Sequence, residues 1–588
     1  MSLDTMSYGD FGFFGKQVII YSDGKVPAYS DDLTRTSLFK EVLHRYLQQL
    51  KQKESSLLGI FPREIDEEQL IILFQQLALY QAKYVIQKHP EFEPYFKDTY
   101  LLHQFVEGLY NYWRNYERFF VCYSDEMLMF RLHDRPYKTF NDTVESLNNL
   151  VRKLYRDICE NITNEHPRVY RQLPAGAQVG LIVVEEKLNL PAPYNKLEKV
   201  NYIKQVLIQP PLIIDPPNNT RSGVFKKIDK NPLDFVPFLE EQEWVCYPAQ
   251  VGELIIHVFF NNKFIGLGTA LSNLFDLATS EQLKKKPDAV YLFGIPKEVA
   301  KRIDSDMTVF YEDAQNDLLV ASVPDGDEFA YFGYLKKMIL ALHNAIMMKR
   351  SRLPIHGAMV KIDLMNNKSA NIIIMGDTGA GKSESLEAFR KLGENYIKEM
   401  TIIFDDMGSL NIDGGKIKAF GTEMGAFVRL DDLNPGYAFG NIDRSIIMSP
   451  QKKNARVVLP ITTMEEVLKG QKVNYFLYAN NYEKVDDTHP VLEIFKSKNE
   501  AIEVFRRGRS MSKGTTTSTG ITETYFVNVF GPVQYKEIHD KLAEKYFQAL
   551  FDNNIVVGQM RTMLGVAGQE NLGPEAAAKA LLDLIKKS

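Results

Sequence analysis

Apolar residues recur every three or four positions through the first part of the chain. The run DEEQLIILFQQLALYQAKYVIQ opens on the acidic residue Asp66 and then presents an apolar face, which is typical of a helix start followed by a buried helix. The aromatic-rich run FVEGLYNYWRNYERFFVCY from Phe105 is interpreted as a buried helical face. We therefore predict a mainly helical N-terminal extension over residues 1–165.

From about residue 166 the pattern changes to short apolar runs separated by proline-rich breaks. VGLIVVEE from Val179 and KQVLIQPPLIID from Lys204 predict short strands. Further strands are predicted in GELIIHVFF, AVYLFGI, MTVFY and LLVASV. This pattern predicts a mixed α+β, substrate-side domain over residues 166–330.

The last part of the chain begins with a helical run, FGYLKKMILALHNAIMMKR from Phe332. Helices and turns then alternate with predicted strands at 357–362, 371–375, 401–404 and 525–530. We predict a P-loop mononucleotide-binding catalytic domain over residues 331–588. The predicted fold class for the whole chain is α/β and α+β.

The composition is that of an ordinary globular protein, with 588 residues of which 45% are hydrophobic and 25% charged. The net charge of -5 argues against a protein that mainly binds nucleic acid. The cysteines form no paired motif, which fits a reducing compartment; they are Cys122, Cys159 and Cys246. The longest apolar run, from Leu254, is broken by NNK, and the N-terminus carries no signal-peptide pattern. We expect a cytoplasmic protein that acts on small molecules without a membrane, and the pattern leaves its oligomeric state open.

A glycine-rich loop follows the apolar run IIIM and precedes the helix former ESLEAFRKL. The loop consists of Gly376, Asp377, Thr378, Gly379, Ala380, Gly381, Lys382 and Ser383. Such a loop turns backbone N–H groups toward phosphate oxygens, while the lysine supplies positive charge and the serine a hydroxyl for Mg²⁺. The strand TIIFDD ends in Asp405 and Asp406, whose carboxylates suit hard divalent cations. We expect Mg²⁺ to be held by Ser383 and Asp405.

Further motifs lie on both sides of this phosphate loop. Upstream are YFGYLKK, which ends at Lys337, and IHGAMV, which contains His356. Downstream are NARVVLPI, which contains Arg456, and GRSMSKGTTTSTGITETYFVNVFGPV from Gly508. Together with the phosphate loop and the Asp-Asp strand end, and in this order, they resemble the phosphoenolpyruvate carboxykinase family, with Leu335 in place of the family's Met. The resemblance implies that family's two-lobed core and covers about residues 328–533.

The resemblance implies a metal site. In the family, the second lysine, the histidine and the second aspartate of these motifs bind a transition metal, and here they are Lys337, His356 and Asp406. Nitrogen and oxygen ligands of this kind suit Mn²⁺. A lysine can be a ligand only when it is neutral, so its pKa must be low.

The resemblance also implies substrate contacts. Arg456 resembles the arginine that spans the transferred phosphoryl group and the organic acid, which suits a guanidinium fork. Tyr331 resembles a residue near the carboxylate or CO₂ pocket, and Arg221, in a short match over 220–223, is a candidate clamp for the substrate carboxylate. The stretch from Arg509 to Thr522 would be a lid that excludes water when closed.

The activity implied by the resemblance is decarboxylation of oxaloacetate with phosphoryl transfer, which gives phosphoenolpyruvate and CO₂. The donor stays open between ATP, GTP and pyrophosphate, because GQMRTMLGVAGQENLGPEAAAKAL lacks the basic pattern expected for ATP and the cysteine of GTP-dependent members is absent. The sequence GKSE, with Glu384, is similar to HPr kinase/phosphorylase and indicates a kinase acting on a protein or small-molecule hydroxyl as one alternative. A non-catalytic nucleotide-binding protein, with the helical extension as its interaction module, is the other.

Overall fold

The chain divides into two compact units, Met1–Lys187 with Val200–Leu212 and Leu188–Lys199 with Ile213–Ser588. The predicted boundary at 165/166 falls inside the first unit, and the one at 330/331 inside the second. The computed structural model describes residues 11–22, 26–62, 64–124, 136–237, 239–240, 243–304, 307–377, 379–392, 396–430, 441–513, 519–529 and 534–587. Among these, no helix combines the length and the apolar character needed to cross a membrane.

The first unit combines helices with a sheet. Its helices are α1 (Ser37–Gln52), α2 (Glu67–Leu77), α3 (Ala82–Lys88), α4 (Thr99–Arg114) and α5 (Pro136–Thr163). Its strands are β1 (Phe11–Phe14), β2 (Gln17–Ser22), β3 (Glu117–Ser124), β4 (Val179–Val184) and β5 (Tyr202–Ile208). As predicted, an acidic residue starts α2, because the Asp66 side chain accepts a hydrogen bond from the backbone N–H of Gln69 at 3.0 Å.

The first unit contains more strand than the sequence pattern predicts. Strands β2, β3 and β4 pair in parallel, with β1 antiparallel on one side and β5 antiparallel on the other. The predicted helical run from Phe105 is helical only to Arg114 and continues as β3. Phe119 and Phe120 are fully buried. A parallel strand that is buried on both faces lacks the alternation of apolar and polar residues that marks a half-exposed strand. Its sequence therefore resembles that of a buried helix.

The first half of the second unit holds the strands predicted between 213 and 330. The strands are β6 (Leu212–Ile214), β7 (Lys226–Ile228), β8 (Trp244–Val251), β9 (Leu254–Asn261), β10 (Asp276–Leu277), β11 (Ala289–Ile295), β12 (Val309–Asp313) and β13 (Leu318–Pro324). The helices are α6 (Ile265–Thr269), α7 (Ser280–Leu283) and α8 (Lys297–Ile303). The sheet runs β8-β9-β11-β13-β12-β7 and mixes parallel with antiparallel pairs.

The second half of this unit begins with the predicted helix α9 (Phe332–Lys349) and builds a second sheet. The strands are β14 (Leu353–Leu364), β15 (Ser369–Met375), β16 (Ile397–Phe404), β17 (Met407–Asp413), β18 (Lys416–Gly421), β19 (Gly425–Arg429), β20 (Ile446–Met448), β21 (Arg456–Pro460), β22 (Gln471–Lys472), β23 (Tyr475–Asn480), β24 (Leu492–Ile494), β25 (Arg509–Lys513), β26 (Thr519–Glu523) and β27 (Val556–Arg561). The helices are α10 (Lys382–Leu392), α11 (Met464–Leu468), α12 (Lys498–Arg507), α13 (Lys536–Asp552) and α14 (Leu572–Lys587). The chain is therefore a mixed α/β protein with large sheets.

The predicted strand at 525–530 is wrong over residues 525–529, and residue 530 lies outside the described residues. Residues Tyr525–Val527 form a short 3-10 turn, and Phe526 and Val527 have φ angles of 44° and 51° in the left-handed region. A β-type sequence is held there in a turn because its backbone groups bond to neighbouring segments. The N–H of Thr524 donates to the carbonyl of Gly508 at 3.2 Å, for example.

Three parallel strands of the second sheet end at the edge where the phosphate loop begins. The second sheet runs β22-β18-β17-β14-β15-β23-β27-β24, and β15, β23 and β27 are parallel. An apolar core that includes Ile372, Leu477, Phe389 and Leu581 packs these strands against α10 and α14. The carboxyl ends of parallel strands meet at the same edge, which is where ligands bind in sheets of this kind.

Candidate functional site

The phosphate loop begins directly after β15. Gly379 and Gly381 have φ angles of 79° and 92°, which glycine adopts without strain. A Cβ on Gly381 would also lie 2.6 Å from Oγ1 of Thr562. Only glycine therefore fits at this position. Thr378 and the side chain of Ser383 lie outside the described residues, so the predicted Mg²⁺ contact of Ser383 stays a prediction.

Residues after the two neighbouring strands hold the loop. The Thr562 hydroxyl donates to the carbonyl oxygen of Ala380 at 2.8 Å, and the Asn481 amide donates to that of Gly379 at 2.9 Å. Asn481 is fully buried and also bonds both backbone groups of Met511 in β25, at 2.8 and 3.0 Å. Sequence reasoning missed both residues, because neither β23 nor β27, the strands that they directly follow, was predicted from the sequence.

The lysine of the loop lies across the loop's own backbone. Its Nζ donates to the carbonyl oxygens of Gly376 at 2.5 Å and of Asp377 at 3.2 Å, and the residue is 8% exposed. The Lys382 amine therefore lies beside the backbone that faces phosphate oxygens in loops of this type.

An ion cluster forms beside the loop around Asp406, whose side chain is 22% exposed, while its partners Lys336 and His356 are buried. Its Oδ2 accepts a hydrogen bond from Nζ of Lys336 at 2.6 Å, and its Oδ1 lies 3.0 Å from Nε2 of His356. Burial raises the pKa of Asp406, but Lys336, His356 and Lys337 outweigh this effect and hold the pKa well below its ordinary value. Asp406 is therefore a carboxylate.

Backbone contacts bring these segments together. His356 pairs with Met407 across β14 and β17, and the N–H of Gly357 donates to the carbonyl of Asp406 at 3.0 Å. The N–H of Gly376 donates to the carbonyl of His356 at 3.2 Å. The histidine strand thus lies between the phosphate loop and the aspartate pair, as the order of motifs requires.

The donor set of the cluster fits a divalent cation. Nδ1 of His356 lies 2.5 Å from the carbonyl oxygen of Val527, so that nitrogen carries the proton. With a cation bound, a neutral imidazole would turn the lone pair of Nε2 toward the ion, which is how metal-binding histidines are oriented. Two ligand atoms at about 2.1 Å from one ion and at right angles are about 3 Å apart. The same geometry suits an imidazolium that donates to Asp406 when no cation is bound.

The two adjacent lysines of α9 differ in their contacts. The assignment of Lys337 as the metal ligand stays a prediction, while its neighbour Lys336 hydrogen-bonds Asp406. Burial lowers the pKa of Lys337 to about 8, with Asp406 and Asp377 partly offsetting the shift and Arg221 adding to it. The pKa of Lys336 is raised instead, because Asp406 and Glu423 outweigh its burial. The lowered pKa of Lys337 agrees with the low pKa expected for a ligand lysine, whereas Lys336, which the sequence pattern did not single out, stays an ammonium.

Exchanging each lysine for methionine should therefore change stability in opposite directions. Lys337 has a folded pKa of about 8 against 10.5 for the free side chain, so its burial as an ammonium opposes folding at pH 7. We expect Lys337→Met to raise the free energy of unfolding at pH 7, on the order of 2–3 kcal/mol. This gain should vanish as the pH rises from 8 to 10.5.

Lys336→Met is the matched variant and should lower the free energy of unfolding by about 1.5–3 kcal/mol, since it removes a charged hydrogen bond. Denaturant unfolding with and without Mn²⁺ measures both effects. The variant that loses the stabilisation by Mn²⁺ identifies the ligand lysine. Equal destabilisation by both changes at pH 7 would contradict the assignment of opposite pKa shifts.

Two further carboxyl groups lie at the cluster. Burial raises the pKa of Asp405, although the Lys382 ammonium counteracts this shift. Glu423 is fully buried, accepts a hydrogen bond from the N–H of Met407 at 3.1 Å and contacts the Thr422 hydroxyl. Burial raises the pKa of Glu423 to about 8. The sequence pattern did not single out Glu423, because it lies in a loop without a motif.

The predicted substrate residues surround the Phe427 ring. The Arg456 guanidinium carbon lies 5.4 Å from the ring centre, and the Tyr331 ring lies 6.0 Å from it. Burial raises the pKa of Tyr331, and the charges of Arg456 and Arg221 counteract this. Arg221 therefore lies in the same neighbourhood, where it donates to the carbonyl of Gly223 at 2.8 Å.

A cleft of about 620 Å³ opens between these groups. Its lining includes Lys336, Lys382, Asp405, Asp406 and Arg456. The cleft thus brings the phosphate-loop lysine, the ion cluster and the predicted substrate arginine to one volume.

The predicted lid is a β-hairpin in its described part. Strands β25 and β26 pair antiparallel, with Arg509 opposite Glu523 and its Nε 3.1 Å from the glutamate carboxylate. Residues 514–518 lie outside the described residues. The Asn481 contacts to Met511 connect this hairpin to the phosphate loop.

A separate donor group lies in the first unit. The ligand atoms of His103, Glu107 and Cys159 are within 4.8 Å of one another. Glu107 accepts a hydrogen bond from the Tyr155 hydroxyl. Burial, reinforced by Glu107, raises the pKa of the Cys159 thiol and keeps it protonated, which disfavours it as a ligand.

A scan of protein-family models gives no match to the chain, and a search of curated proteins gives none either.

Proposed function

We propose that the chain is a phosphoenolpyruvate carboxykinase-like enzyme with a two-lobed core of that kind. It would decarboxylate oxaloacetate and transfer a phosphoryl group from a nucleotide or pyrophosphate to give phosphoenolpyruvate and CO₂. The observation that carries this proposal is the pairing of His356 with Asp406 beside Lys336, in the cleft that also contains Lys382. A phosphate loop alone would need no such nitrogen-and-carboxylate cluster.

In this proposal the cationic residues of the cleft would bind the phosphoryl group, and the other residues would bind the metal ions. Lys382 and Arg456 would neutralise the phosphoryl group in transit, and their low-dielectric surroundings strengthen this effect. His356, Asp406 and a lysine of α9 would hold Mn²⁺, and Asp405 with Ser383 would hold Mg²⁺. The metal ions would supply Lewis acidity toward the substrate oxygens.

Tyr331 and Arg221 would position the organic acid. The charges of Arg456 and Arg221 both act on Tyr331, which is 7% exposed and does not itself line the cleft. A buried hydroxyl beside guanidinium groups suits a carboxylate ligand. The hairpin of β25 and β26 would exclude water from the reacting groups.

A second candidate is a kinase similar to HPr kinase/phosphorylase that acts on a protein or small-molecule hydroxyl. The observation that favours it is Glu384, which follows the loop serine and lines the cleft. This candidate needs a carboxylate base near the acceptor. It leaves the His356 and Arg456 positions without a role.

One assay distinguishes the candidates. The purified chain is incubated with oxaloacetate, Mn²⁺ and Mg²⁺, and with ATP, GTP or pyrophosphate in separate reactions, and phosphoenolpyruvate is measured. We expect product with one donor and a loss of about 100- to 1,000-fold in Lys382→Met, because one stabilising charge is removed. Lys391→Met, which changes another lysine of the cleft on α10, is the control.

Absence of phosphoenolpyruvate with every donor would remove the proposal. Phosphorylation of a protein or alcohol acceptor in the same mixtures would establish the kinase. Tight nucleotide binding without turnover would establish a non-catalytic nucleotide-binding protein.

A further inference from the structure

Three successive residues after β26 adopt a backbone conformation that most side chains disfavour. Phe526, Val527 and Asn528 have φ angles of 44°, 51° and 62°, all in the left-handed region. Asparagine tolerates this region, but a β-branched residue such as valine is an outlier there. Such conformations persist only where surrounding contacts hold them, and they concentrate at functional sites.

Packing against α13 supplies contacts of this kind. Phe526 and Val527 are 2% and 1% exposed. The centre of the Phe526 ring lies 4.8 Å from that of the His539 ring. The Tyr525 hydroxyl donates to the Asp540 carboxylate at 2.9 Å and lies 2.9 Å from Nδ1 of His539. Apolar packing and hydrogen bonds therefore anchor the turn to this helix.

The backbone that follows α12 packs against another side of the turn. Gly508 has a φ angle of 51°, and a Cβ added to it would lie 2.5 Å from the backbone nitrogen of Val527. The N–H of Thr524 donates to the carbonyl of Gly508 at 3.2 Å. The turn therefore has no room to relax toward Gly508.

This arrangement fixes the direction of one carbonyl group. The carbonyl oxygen of Val527 lies 2.5 Å from Nδ1 of His356. The other ring nitrogen, Nε2, lies 3.0 Å from Oδ1 of Asp406. A hydrogen bond from one ring nitrogen to a carbonyl oxygen sets both the tautomer and the ring orientation of a metal-binding histidine.

We propose that the turn formed by Phe526, Val527 and Asn528 is a positioning element for His356, which holds the imidazole in the tautomer and orientation that present Nε2 to a divalent cation. The proposal rests on the proposed function in taking His356 and Asp406 as metal ligands, but it does not depend on which reaction the metal serves. The left-handed backbone is kept because a relaxed turn would direct the Val527 carbonyl away from Nδ1. The turn acts through the imidazole and is not itself a ligand.

Two asparagines with the same backbone angle provide a matched test. Asn528 and Asn367 are both exposed and both have a φ angle of 62°, and Asn367 lies between β14 and β15. Valine meets the same steric penalty at either position, so Asn528→Val and Asn367→Val should lower the midpoint of denaturant unfolding by similar amounts. Only Asn528→Val should weaken Mn²⁺ binding, about tenfold, as expected for a group behind a metal ligand. Asn528→Gly adopts the angle without strain and should bind Mn²⁺ within about twofold of the wild type.

A second pair of variants changes the surroundings of the turn and keeps its sequence. Gly508→Ala places a methyl group against Val527, whereas a Cβ on Gly414, which has a φ angle of 54°, meets no atom of the described residues within 4 Å. Gly508→Ala should therefore weaken Mn²⁺ binding and Gly414→Ala should not. This pair decides the question if Asn528→Val does not fold.

Electron paramagnetic resonance of free Mn²⁺ measures the affinities on the full chain. Excess Mg²⁺ is present, because it competes at all-oxygen sites more than at a site with an imidazole ligand. Affinities of Asn528→Val and Gly508→Ala equal to those of their controls would overturn the proposal, even if the wild type forms phosphoenolpyruvate. Weaker binding in these two variants, without phosphoenolpyruvate from the wild type, would leave the positioning role in place and remove the proposed reaction. A wild-type chain that binds no Mn²⁺ would remove the positioning role and the metal site together.

Discussion

Replacing Asp406 with asparagine is expected to abolish phosphoenolpyruvate formation and to destabilise the protein. The Oδ2 atom accepts from Lys336 and the Oδ1 atom lies 3.0 Å from Nε2 of His356, so the change removes a proposed metal ligand and the counter-charge of a lysine that is 1% exposed. We expect the free energy of unfolding to fall by about 3 kcal/mol, which is the low end for breaking a buried ion pair. The low end applies because Asp406 raises the pKa of Glu423, so its loss lets Glu423 ionise more readily and offset the charge of Lys336.

The destabilisation caused by Asp406→Asn should become smaller as the pH falls. The folded pKa of Asp406 lies well below the ordinary value of 3.8. The ionised carboxylate therefore stabilises the fold at neutral pH, and this contribution is lost as the pH falls below about 4 toward the folded pKa. The difference between Asp406→Asn and the wild type should shrink over that range. Mn²⁺ affinity should fall at least about 100-fold at neutral pH, since the changed residue is a direct ligand in the proposed site.

Asp363→Asn is the matched control. Asp363 accepts from Lys361 at 2.8 Å at the other end of β14, where the two side chains are 20% and 36% exposed. An ion pair with this exposure contributes at most about 1 kcal/mol. Denaturant unfolding of the three proteins gives the comparison, and titration calorimetry gives the Mn²⁺ affinity. Similar losses in Asp406→Asn and Asp363→Asn would show that the cluster is an ordinary surface network.

The elements around this cluster were predictable where one physical signal dominated. Helix α9 and the phosphate-loop strand β15 follow from an apolar run with clear ends, and the glycines of the loop follow from the left-handed angles that the turn requires. The order of motifs also predicted that His356 and Asp406 come together. Their convergence results from pairing of β14 with its neighbours, which apolar strands at these positions allow.

Other features depend on long-range contacts that no local pattern encodes. The resemblance assigned the metal ligand to Lys337, whose pKa is lowered to about 8, and it gave no role to Lys336, whose hydrogen bond to Asp406 depends on the packing of α9. Arg429 lies opposite Arg456 because of the register between β19 and β21, and the two residues are 27 positions apart in the sequence. Strand β3 and the turn at Phe526 were missed because burial on both faces and backbone contacts outweigh local preference.

The support of the phosphate loop shows the same dependence on distant contacts. Arg561, at the end of β27, is 1% exposed and bonds Glu483 at 3.0 Å, Glu493 at 2.8 Å and the carbonyl of Pro490 at 2.8 Å. Glu483 also accepts from the Asn480 amide at 2.8 Å. This network fixes the ends of β23 and β27 from which the loop is held.

Arg561→Met is therefore expected to lower the free energy of unfolding by about 3–5 kcal/mol, because two carboxylates lose a buried guanidinium. Burial raises the pKa of Glu493, and Arg561 and the Gln559 amide together outweigh it and hold that pKa below its ordinary value. Without the arginine, we expect the pKa of Glu493 to rise. The next residue, Thr562, donates to Ala380 of the phosphate loop, so nucleotide or pyrophosphate affinity should fall about tenfold even at temperatures where the variant is folded.

Arg507→Met is the control, since Arg507 is 50% exposed and pairs with an equally exposed Glu523 at 3.0 Å. Its effect should stay within about 0.5 kcal/mol. Denaturant unfolding followed by circular dichroism measures stability, and titration calorimetry with the donor measures affinity. An unfolding midpoint of Arg561→Met equal to that of Arg507→Met would show that the network does not stabilise the fold. Normal donor affinity in a destabilised Arg561→Met would show that Thr562 holds the loop without help from the arginine, and would confine the role of Arg561 to the sheet.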